Sequence, residues 1–144
     1  MKIESEKILS VEQVFGILQY FDDSSDIPLH EGLNFQEYSK KLSRYAKFVI
    51  ASNEENMIGF IAYYLNEEGH FVYIPQIVVH KFGRHQGVGH EMLASLENRY
   101  KGDYNTIKLE VLKDNDNARR FYARESFLEI EDHGNRLLLS KKNF

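Results

Sequence analysis

Three strand-like runs follow one another in the middle of the chain, and they restrict its fold more than any other feature. They read KFVIA at 47–51, MIGFIAYY at 57–64 and HFVYIPQIVV at 70–79, with short polar turns between them. Runs rich in β-branched and aromatic residues with such turns predict an antiparallel meander. Parallel neighbours need a crossover of about a dozen residues or more, so these turns exclude a βαβ arrangement here.

A proline interrupts the third of these runs, at position 75. Proline has no backbone N–H to donate to a sheet ladder. Pro75 therefore predicts an edge, a bulge or a splay at that point of the strand.

Helical patterns lie on both sides of the meander. Before it, Ser10 with Gln13 forms a capping-box pattern, and Asn34 with Glu37 marks a second helix start. After it, apolar residues at helical spacing predict a helix from about Gly87 to Lys101.

The last third of the chain combines strands with one short helix. The predicted elements are a strand at 106–112, a short helix that carries Ala118, and two strands near 127–130 and 136–140. The predicted order is α-α-β-β-β-α-β-α-β-β, which is a mixed α+β fold. With 144 residues and no repeat, linker or low-complexity segment, we expect a single domain over residues 1–144.

Composition excludes several classes of protein. Lysine and arginine number 18 against 22 aspartates and glutamates, and the formal net charge is −4, whereas nucleic-acid-binding domains are basic. No apolar run of about 18 residues and no apolar signal core are present, so we expect no membrane partner and a cytoplasmic location. The absence of cysteine excludes disulfides, thiolate zinc sites and a cysteine nucleophile.

The histidines do not form a metal-binding pattern. His80, His85 and His90 recur at five-residue steps, and such a step rotates a side chain by roughly 140° on a helix. Their imidazoles would not converge on one ion, so we predict no metal.

A glycine-containing loop separates the third strand-like run from the next helix. Its residues are Arg84, His85, Gln86, Gly87, Val88 and Gly89. Glycines let the backbone approach an anion closely, and the N–H groups at a helix N-terminus favour a phosphate. A Walker A loop needs Gly-Lys-Ser/Thr, and a Rossmann fingerprint needs a third glycine where this chain has Met92. A pyrophosphate held by one short loop, as in coenzyme A, remains.

Two segments of the chain resemble the signature motifs of one family. Residues 79–89, VHKFGRHQGVG, are similar to the Arg/Gln-x-x-Gly-x-Gly/Ala motif of the GCN5-related N-acetyltransferases (GNAT). Residues 115–122, NDNARRFY, are similar to the family's Asn-x-x-Ala-x-x-Phe-Tyr motif. The resemblance covers about residues 47–139. It implies an α+β fold with about four helices around a mixed, mostly antiparallel sheet that is splayed between its fourth and fifth strands.

The resemblance also implies acetyl-CoA as cosubstrate and a set of residues that bind it. Carried over by position, these are Ile77, Val78, Val79, Arg84, His85, Gln86, Gly87, Val88, Gly89, Asn115, Ala118 and Tyr122. In that alignment the N–H of Ile77 would polarise the acetyl carbonyl, and the loop from Arg84 to Gly89 would wrap the pyrophosphate. Tyr122 would protonate the leaving thiolate.

The general base is not fixed by the resemblance. Histone-type members carry a glutamate on the fourth strand, where this chain has Tyr73. Glu110, in the run Leu-Glu-Val, matches the base of ribosomal-protein N-terminal acetyltransferases, and it joins Tyr122 and Ile77 as a candidate catalytic residue; ordered water is the alternative. Ser126 is a further departure, because it replaces a glycine where a positive φ is costly for serine.

The expected reaction is acetyl transfer to a primary amine of a small molecule, such as an amino sugar or a polyamine, by direct attack in a ternary complex. An acidic segment with Asp22, Asp23, Asp26 and Glu31 would attract such a cation, although a solvated loop is the other interpretation. A peptide N-terminus or lysine as acceptor, and a non-catalytic acyl-CoA-binding module, are the alternatives. A free edge on the closing strands is compatible with a homodimer.

Overall fold

The computed structural model describes residues 1–24, 28–54 and 56–144, and within them the chain forms seven strands and four α-helices. In chain order these are β1 (Lys2–Lys7), α1 (Val11–Phe21), α2 (Phe35–Tyr45), β2 (Lys47–Asn53), β3 (Asn56–Asn66), β4 (Phe71–Val79), α3 (Val88–Tyr100), β5 (Thr106–Leu112), α4 (Asp116–Arg124), β6 (Leu128–Asp132) and β7 (Arg136–Lys142).

The strands are hydrogen-bonded in the order β1-β2-β3-β4-β5-β7-β6. β4 and β5 run parallel, whereas β1 with β2, β2 with β3, β5 with β7 and β6 with β7 are antiparallel. The predicted α+β fold with a mixed, mostly antiparallel sheet is therefore confirmed, as is the run of three strands that forms β2, β3 and β4.

The parallel ladder between β4 and β5 is short. It ends where Ile74 lies opposite Leu109, immediately before Pro75. Among the described residues, β4 continues to Val79 and β5 to Leu112 with no further pairs in this ladder. Since proline has no amide hydrogen for the next rung, the ladder stops at the predicted interruption. The ladder thus ends at the point where we expect the fourth strand to separate from the fifth.

The described residues cluster in two compact units, and the chain passes from one to the other within β3 and β4. The first unit comprises Met1–Tyr63 and Gln76–Arg99, and the second comprises Tyr64–Pro75 and Tyr100–Phe144. The expectation of one domain over residues 1–144 stays a prediction.

The first unit packs helices on the sheet through large apolar side chains. Phe21 at the end of α1 meets Phe60 of β3 edge-on, with ring centroids 5.1 Å apart. Gly59 of β3 lets α3 approach closely, because a Cβ there would lie 2.9 Å from the Cε of Met92. All three large side chains are fully buried, and each such burial contributes about 1.5–3 kcal/mol.

The helix starts in the first unit are those the sequence predicts. The Ser10 hydroxyl accepts a hydrogen bond from the Gln13 N–H, and the Gln13 side chain accepts one from the Ser10 N–H. Asn34 accepts a hydrogen bond from the Glu37 N–H in the same way. Each cap satisfies backbone groups that a helix end leaves without intrahelical partners.

The second unit is built on β5 and its antiparallel partner β7. Ile107, Leu109 and Val111 are buried, while Lys108 and Glu110 between them are partly exposed. Because side chains alternate along a strand, Glu110 lies on the face opposite this buried set. The acidic side chain thereby stays accessible, on the same face of β5 as Lys108.

The sequence analysis does not predict β1. Its sequence, KIESEK, contains one apolar residue, so it shows no alternation of apolar and polar side chains. The strand forms a backbone ladder with β2, and polar contacts support it: Ser5 lies 2.8 Å from Ser95, and Glu6 lies 2.7 Å from Arg99. A polar edge strand of this kind depends on its neighbour, which a local pattern does not reveal.

Ser126, between α4 and β6, has a φ of 71°, as the comparison with glycine in the family motif predicts. We expect Ser126→Gly to raise the free energy of unfolding by about 1 kcal/mol, because a left-handed backbone costs other residues roughly 1–2 kcal/mol. Urea unfolding followed by circular dichroism measures this change. Ser126→Ala keeps the Cβ and should not stabilise the protein; a glycine variant less stable than the wild type contradicts the prediction.

Candidate functional site

The segment after β4 turns tightly before α3 begins. His80 is buried and stacks on the rings of Tyr20 and Phe82, with centroid distances of 5.0 and 4.9 Å. Its Nδ1 accepts a hydrogen bond from the Phe82 N–H, and its carbonyl accepts one from the Gly83 N–H. His80 therefore anchors the start of the glycine loop.

The loop reaches α3 through two residues in the left-handed region. His85 has a φ of 63° and Gly87 a φ of 76°. A Cβ on Gly87 would meet no described heavy atom within 4 Å, so the backbone conformation, and not crowding, favours glycine here. α3 begins at Val88, and the first N–H groups of a helix have no intrahelical partner. Open space at the exposed Gly87, immediately before the helix N-terminus, suits an anion such as a pyrophosphate.

Two cationic side chains join this loop to the segment after α1. The Arg84 guanidinium donates a hydrogen bond to the backbone carbonyl of Ser24, and the Lys81 Nζ lies 3.0 Å from the carboxylate of Asp23. The hydrogen bond and charge of Lys81 lower the pKa of Asp23. The sequence does not indicate these contacts. The pyrophosphate contacts of Arg84 to Gly89 stay predictions.

The acidic segment is partly neutralised by the chain itself. Asp22 accepts a hydrogen bond of 2.8 Å from the His30 N–H and lies 2.7 Å from the Nδ1 of the same residue. Desolvation raises the pKa of Asp22, but the hydrogen bonds from His30 outweigh it and leave the pKa below its ordinary value. With Asp23 also paired, the segment attracts an external cation less than its composition suggests. Asp26 lies outside the described residues, and Glu31 is exposed.

The second half of β4 carries the residues expected to meet the acetyl and pantetheine groups. Val78 is buried, whereas Ile77 and Val79 are partly exposed. Strand alternation places Ile77 and Val79 on one face. Their backbone contacts with a cofactor stay predictions.

Asn115 forms the junction between β5 and α4. Its Oδ1 accepts a hydrogen bond of 3.1 Å from the Ala118 N–H, so the side chain caps the helix. Its own N–H donates to the carbonyl of Leu112, the last residue of β5, at 3.0 Å. The cap uses the oxygen of Asn115 and leaves the Nδ2 group for the predicted contact with the cofactor.

Tyr122 lies on α4 with its ring buried. It contacts Phe121 and Phe127 edge-on, at centroid distances of 5.2 and 5.6 Å. Within residues 1–24, 28–54 and 56–144, its hydroxyl has no hydrogen-bond partner. Buried tyrosine hydroxyls usually have one, so this hydroxyl is available to a ligand. Burial raises the pKa of Tyr122, which keeps the phenol protonated at neutral pH.

Glu110 belongs to a hydrogen-bonded cluster that extends to the turn between β6 and β7. Its Oε1 accepts a hydrogen bond of 3.4 Å from the Tyr73 hydroxyl, and its Oε2 lies 2.8 Å from the Nδ1 of His133. The Nε2 of His133 lies 2.9 Å from the carboxylate of Glu131. Each carboxylate oxygen of the predicted base, Glu110, thus has a side-chain hydrogen-bond partner that orients it.

Charges within this cluster favour particular protonation states. Hydrogen bonds to Glu110 and then to Glu131 raise the pKa of His133, because a protonated imidazole donates to both carboxylates. Burial, and next the negative charge of Glu110, raise the pKa of Tyr73. Tyr73 therefore remains a neutral donor to Glu110 at neutral pH and is a poor base.

No sequence motif marks His133 and Glu131 as site residues. Both follow the second family motif, and the only local signal is an imidazole beside two acids in the run Glu-Asp-His at 131–133. Their approach to Glu110 depends on β7 pairing with both β5 and β6. That register cannot be read from the sequence.

The predicted site residues fall in both units. Ile77, Val78, Val79 and the loop from Arg84 to Gly89 belong to the first, and Glu110, Asn115, Ala118 and Tyr122 to the second. In the described part of the chain, no group of three or more histidine or acidic side chains is placed to hold a metal ion. No helix found there has both the length and the apolar character needed to cross a membrane.

The family of the chain follows from comparison with known families. A model of the acetyltransferase (GNAT) family matches residues 15–127, which is most of the chain. The chain therefore belongs to the GNAT family of acetyltransferases, and the assignment from the two motifs is confirmed. A comparison with curated proteins found no match.

Several solved structures share the fold. The PaiA N-acetyltransferase of Thermoplasma acidophilum, in complex with coenzyme A, is 20% identical over 99% of each chain, with a TM-score of 0.73. The ribosomal-protein-S18-alanine N-acetyltransferase of Escherichia coli is 16% identical over 99% of this chain and 93% of its own, with a TM-score of 0.76. An aminoglycoside 6′-N-acetyltransferase complexed with coenzyme A is 14% identical over 100% of this chain and 98% of its own, with a TM-score of 0.78. Identities this low show a common fold alone.

We expect the pKa of the His133 imidazole to lie above the usual value of about 6.5. Glu110→Gln and Glu131→Gln should each lower the pKa of His133, since each variant removes a charge that favours the imidazolium. NMR titration of the imidazole signals measures it. Because the folded-state pKa is raised, the stability gained is complete at low pH and is lost as pH rises through that pKa. The His70 signal, outside the cluster, is the control. An unchanged His133 titration in both variants contradicts the prediction.

Proposed function

We propose that this protein is an acetyl-CoA-dependent N-acetyltransferase that acts on a primary amine of a small molecule. Direct attack in a ternary complex is the proposed route, with no covalent enzyme intermediate. Family membership supports the reaction class. The observation that carries the proposal is the open, left-handed turn at Gly87 before α3, which provides the backbone and space that a pyrophosphate needs.

Residues of each unit have separate parts in this proposal. In the first unit, the backbone from Arg84 to Gly89 holds the pyrophosphate, and the partly exposed stretch Ile77–Val79 pairs with the amide-containing pantetheine arm. That stretch has no ladder partner on β5 among the described residues, which leaves its backbone groups for such an arm. In the second unit, Asn115 and Ala118 at the start of α4 contribute to the same cofactor.

Acetyl transfer from a thioester to an amine has three chemical requirements. The amine is an ammonium at neutral pH and has to lose a proton, which we assign to the Glu110 carboxylate. The oxyanion that develops on the acetyl carbonyl needs a fixed donor, which we assign to the Ile77 N–H. The leaving thiolate needs a proton, which we assign to the Tyr122 hydroxyl, protonated and without a partner among the described residues.

A small cationic amine is the proposed acceptor because two carboxylates, Glu110 and Glu131, lie on the two sides of one imidazole, that of His133. Glu131 and Asp132 lie on β6, whose residues are all exposed, and Glu110 contacts His133 in the adjacent turn. Negative potential raises the local concentration of a cation. A peptide N-terminus is the second candidate, favoured by the position of Glu110 in its Leu-Glu-Val strand.

We expect acetyl-CoA to bind the wild type and Gly87→Glu to weaken binding by at least about 30-fold. A side chain at this φ costs roughly 1–2 kcal/mol, the added carboxylate repels a pyrophosphate, and each 1.4 kcal/mol or so is tenfold in affinity. Isothermal titration calorimetry gives both dissociation constants. Gly16→Glu is the charge-matched control, because Gly16 lies in α1 with no described atom within 4 Å of a Cβ. Equal binding by both variants argues against the loop as the phosphate site.

We expect turnover of small amines to exceed turnover of a peptide. Thiol release from acetyl-CoA measures kcat/KM for glucosamine, spermidine and a hexapeptide that begins with alanine. A higher value for the peptide would establish the second candidate. Acetyl-CoA binding with no turnover of any amine would instead favour a non-catalytic acyl-CoA-binding module.

We expect Tyr122→Phe and Glu110→Gln each to lower kcat by about 10²-fold or more, the usual contribution of a general acid or base. The affinity for acetyl-CoA should change much less than kcat, since Tyr122→Phe keeps the buried ring and both groups act on protons. Tyr45→Phe, at an exposed position on α2, is the matched control. A wild-type pH–rate profile in Glu110→Gln excludes Glu110 as the base.

A further inference from the structure

We infer that His133 is a positioning residue through which Glu110 releases the proton it takes from the acceptor amine. This inference rests on the proposed function, in which Glu110 is the general base. It assigns a role in turnover to a residue in the β6–β7 turn, outside both family motifs.

The geometry provides a continuous path. His133 Nδ1 lies 2.8 Å from the Oε2 of Glu110, and His133 Nε2 lies 2.9 Å from the carboxylate of Glu131. Side-chain exposure increases along this line, from 29% for Glu110 to 40% for His133 and 60% for Glu131. A proton that leaves the partly buried base in this direction therefore reaches water through one imidazole.

The turn holds the imidazole in place without using the imidazole itself. The His133 N–H donates to the Arg136 carbonyl at 2.8 Å, and Asp132 accepts a hydrogen bond from the Gly134 N–H and an ion pair from Lys113. Both ring nitrogens remain for the two carboxylates. The backbone of the turn is thus fixed by these contacts, and the two carboxylates orient the ring, as proton transfer along a defined line requires.

Several charged groups act on the cluster from the neighbouring elements. Glu110 comes from β5, Glu131 and Asp132 from β6, Arg136 from β7, and the Tyr73 hydroxyl from β4. Lys113 is paired with Asp132. The carboxylates nearest the ring favour the imidazolium, so the neutral form that accepts a proton increases as pH rises.

Two protons leave the acceptor nitrogen: one follows three transfers through Glu110, and the other, lost after the amine has attacked, replaces the proton that Tyr122 gives to the thiolate. The Glu110 carboxylate removes one proton from the acceptor's ammonium, leaving a neutral amine and a carboxylic acid. The acid gives that proton to the Nδ1 of neutral His133, which becomes an imidazolium and restores the carboxylate. The imidazolium loses one proton from Nε2 to water beside Glu131. The neutral ring then gives its Nδ1 proton to water and takes one from water at Nε2, so that Nδ1 can accept again in the next turnover.

The test compares His133→Asn with the wild type, using acetyl-CoA and whichever of glucosamine, spermidine or the alanine hexapeptide the wild type acetylates fastest. Asparagine places an amide near the Nδ1 position, so it can still donate to Glu110, but it cannot titrate. We expect kcat to fall about tenfold, less than the ~10²-fold loss typical of a residue that takes the proton directly, with KM unchanged. The pH dependence that wild-type kcat shows at the His133 pKa should disappear. Added imidazole should restore activity to His133→Ala.

The controls separate a proton path from a structural role. His70→Asn removes an imidazole elsewhere in the same unit, at a left-handed position that asparagine tolerates, and should keep the wild-type profile. Glu131→Gln should move the pH dependence of kcat to lower pH, because it removes a charge that raises the pKa of His133. Circular dichroism and urea unfolding verify that each variant is folded.

The outcomes distinguish this inference from the proposed function. If the wild type acetylates an amine and His133→Asn keeps its kcat and pH profile, the inference is wrong and the proposed function stands. If the wild type acetylates no amine, the proposed function is wrong and the inference with it. The inference is also overturned, independently of activity, if the NMR titration of His133 is identical in the wild type and in Glu110→Gln. The Glu110 carboxylate would then have no effect on the ionisation of His133, and the two groups could not share a proton.

Discussion

The point at which the parallel ladder between β4 and β5 ends determines which backbone groups of β4 are left without a partner on β5. β4 and β5 pair up to Ile74 and Leu109, and Pro75 then removes the amide hydrogen that would continue the ladder. The backbone of β4 after this point is extended, and its Ile77–Val79 stretch has no β5 partner among the described residues. A backbone of this kind has to bind something or remain solvated. In the proposed function the missing partner is an extended amide-containing arm, so a single residue without an N–H prepares a strand for a ligand.

In the second unit, a hydrogen-bonded cluster of ionisable side chains orients the carboxylate of Glu110. Strand alternation on β5 places Glu110 opposite the buried Leu109 and Val111, and the β6–β7 turn provides His133 for it. A lone carboxylate would rotate and be solvated on both oxygens. The cluster instead fixes both oxygens, with a phenol that stays neutral on one and an imidazole that titrates on the other. Pre-organisation of this kind is what a proton acceptor needs.

Much of the fold could be predicted because its signals are local. The caps at Ser10 and Asn34, the strand-rich runs and the proline at position 75 each act within a few residues. The positive φ of Ser126 was accessible through the family motif, since glycine is usual there. β1 could not be predicted, because a polar edge strand is defined by its ladder with β2 and not by its own sequence.

The candidate site was predictable only where a motif reaches. The glycine loop and Tyr122 lie within motifs. The helix that follows the loop, α3, and the helix that carries Tyr122, α4, are both present where expected. His133 lies beyond them, and its contact with Glu110 results from the pairing of three strands. The hydrogen bonds from His30 to Asp22 likewise depend on how a turn folds back. Long-range register and the pairing of charges are tertiary properties, so residue spacing does not encode them.

The edge strand β6, at the end of the sheet opposite β1, has a further consequence for how the protein behaves at high concentration. All its residues are exposed, and a free sheet edge with apolar residues such as Leu128 and Ile130 invites strand addition by another copy. Glu131 places negative charge on this edge, and its cationic neighbour is a titrating imidazole. As the solution is acidified, that imidazole gains charge and the repulsion between two such edges decreases. Colloidal stability should therefore follow the ionisation of His133, and mild acid should be where the protein self-associates most readily.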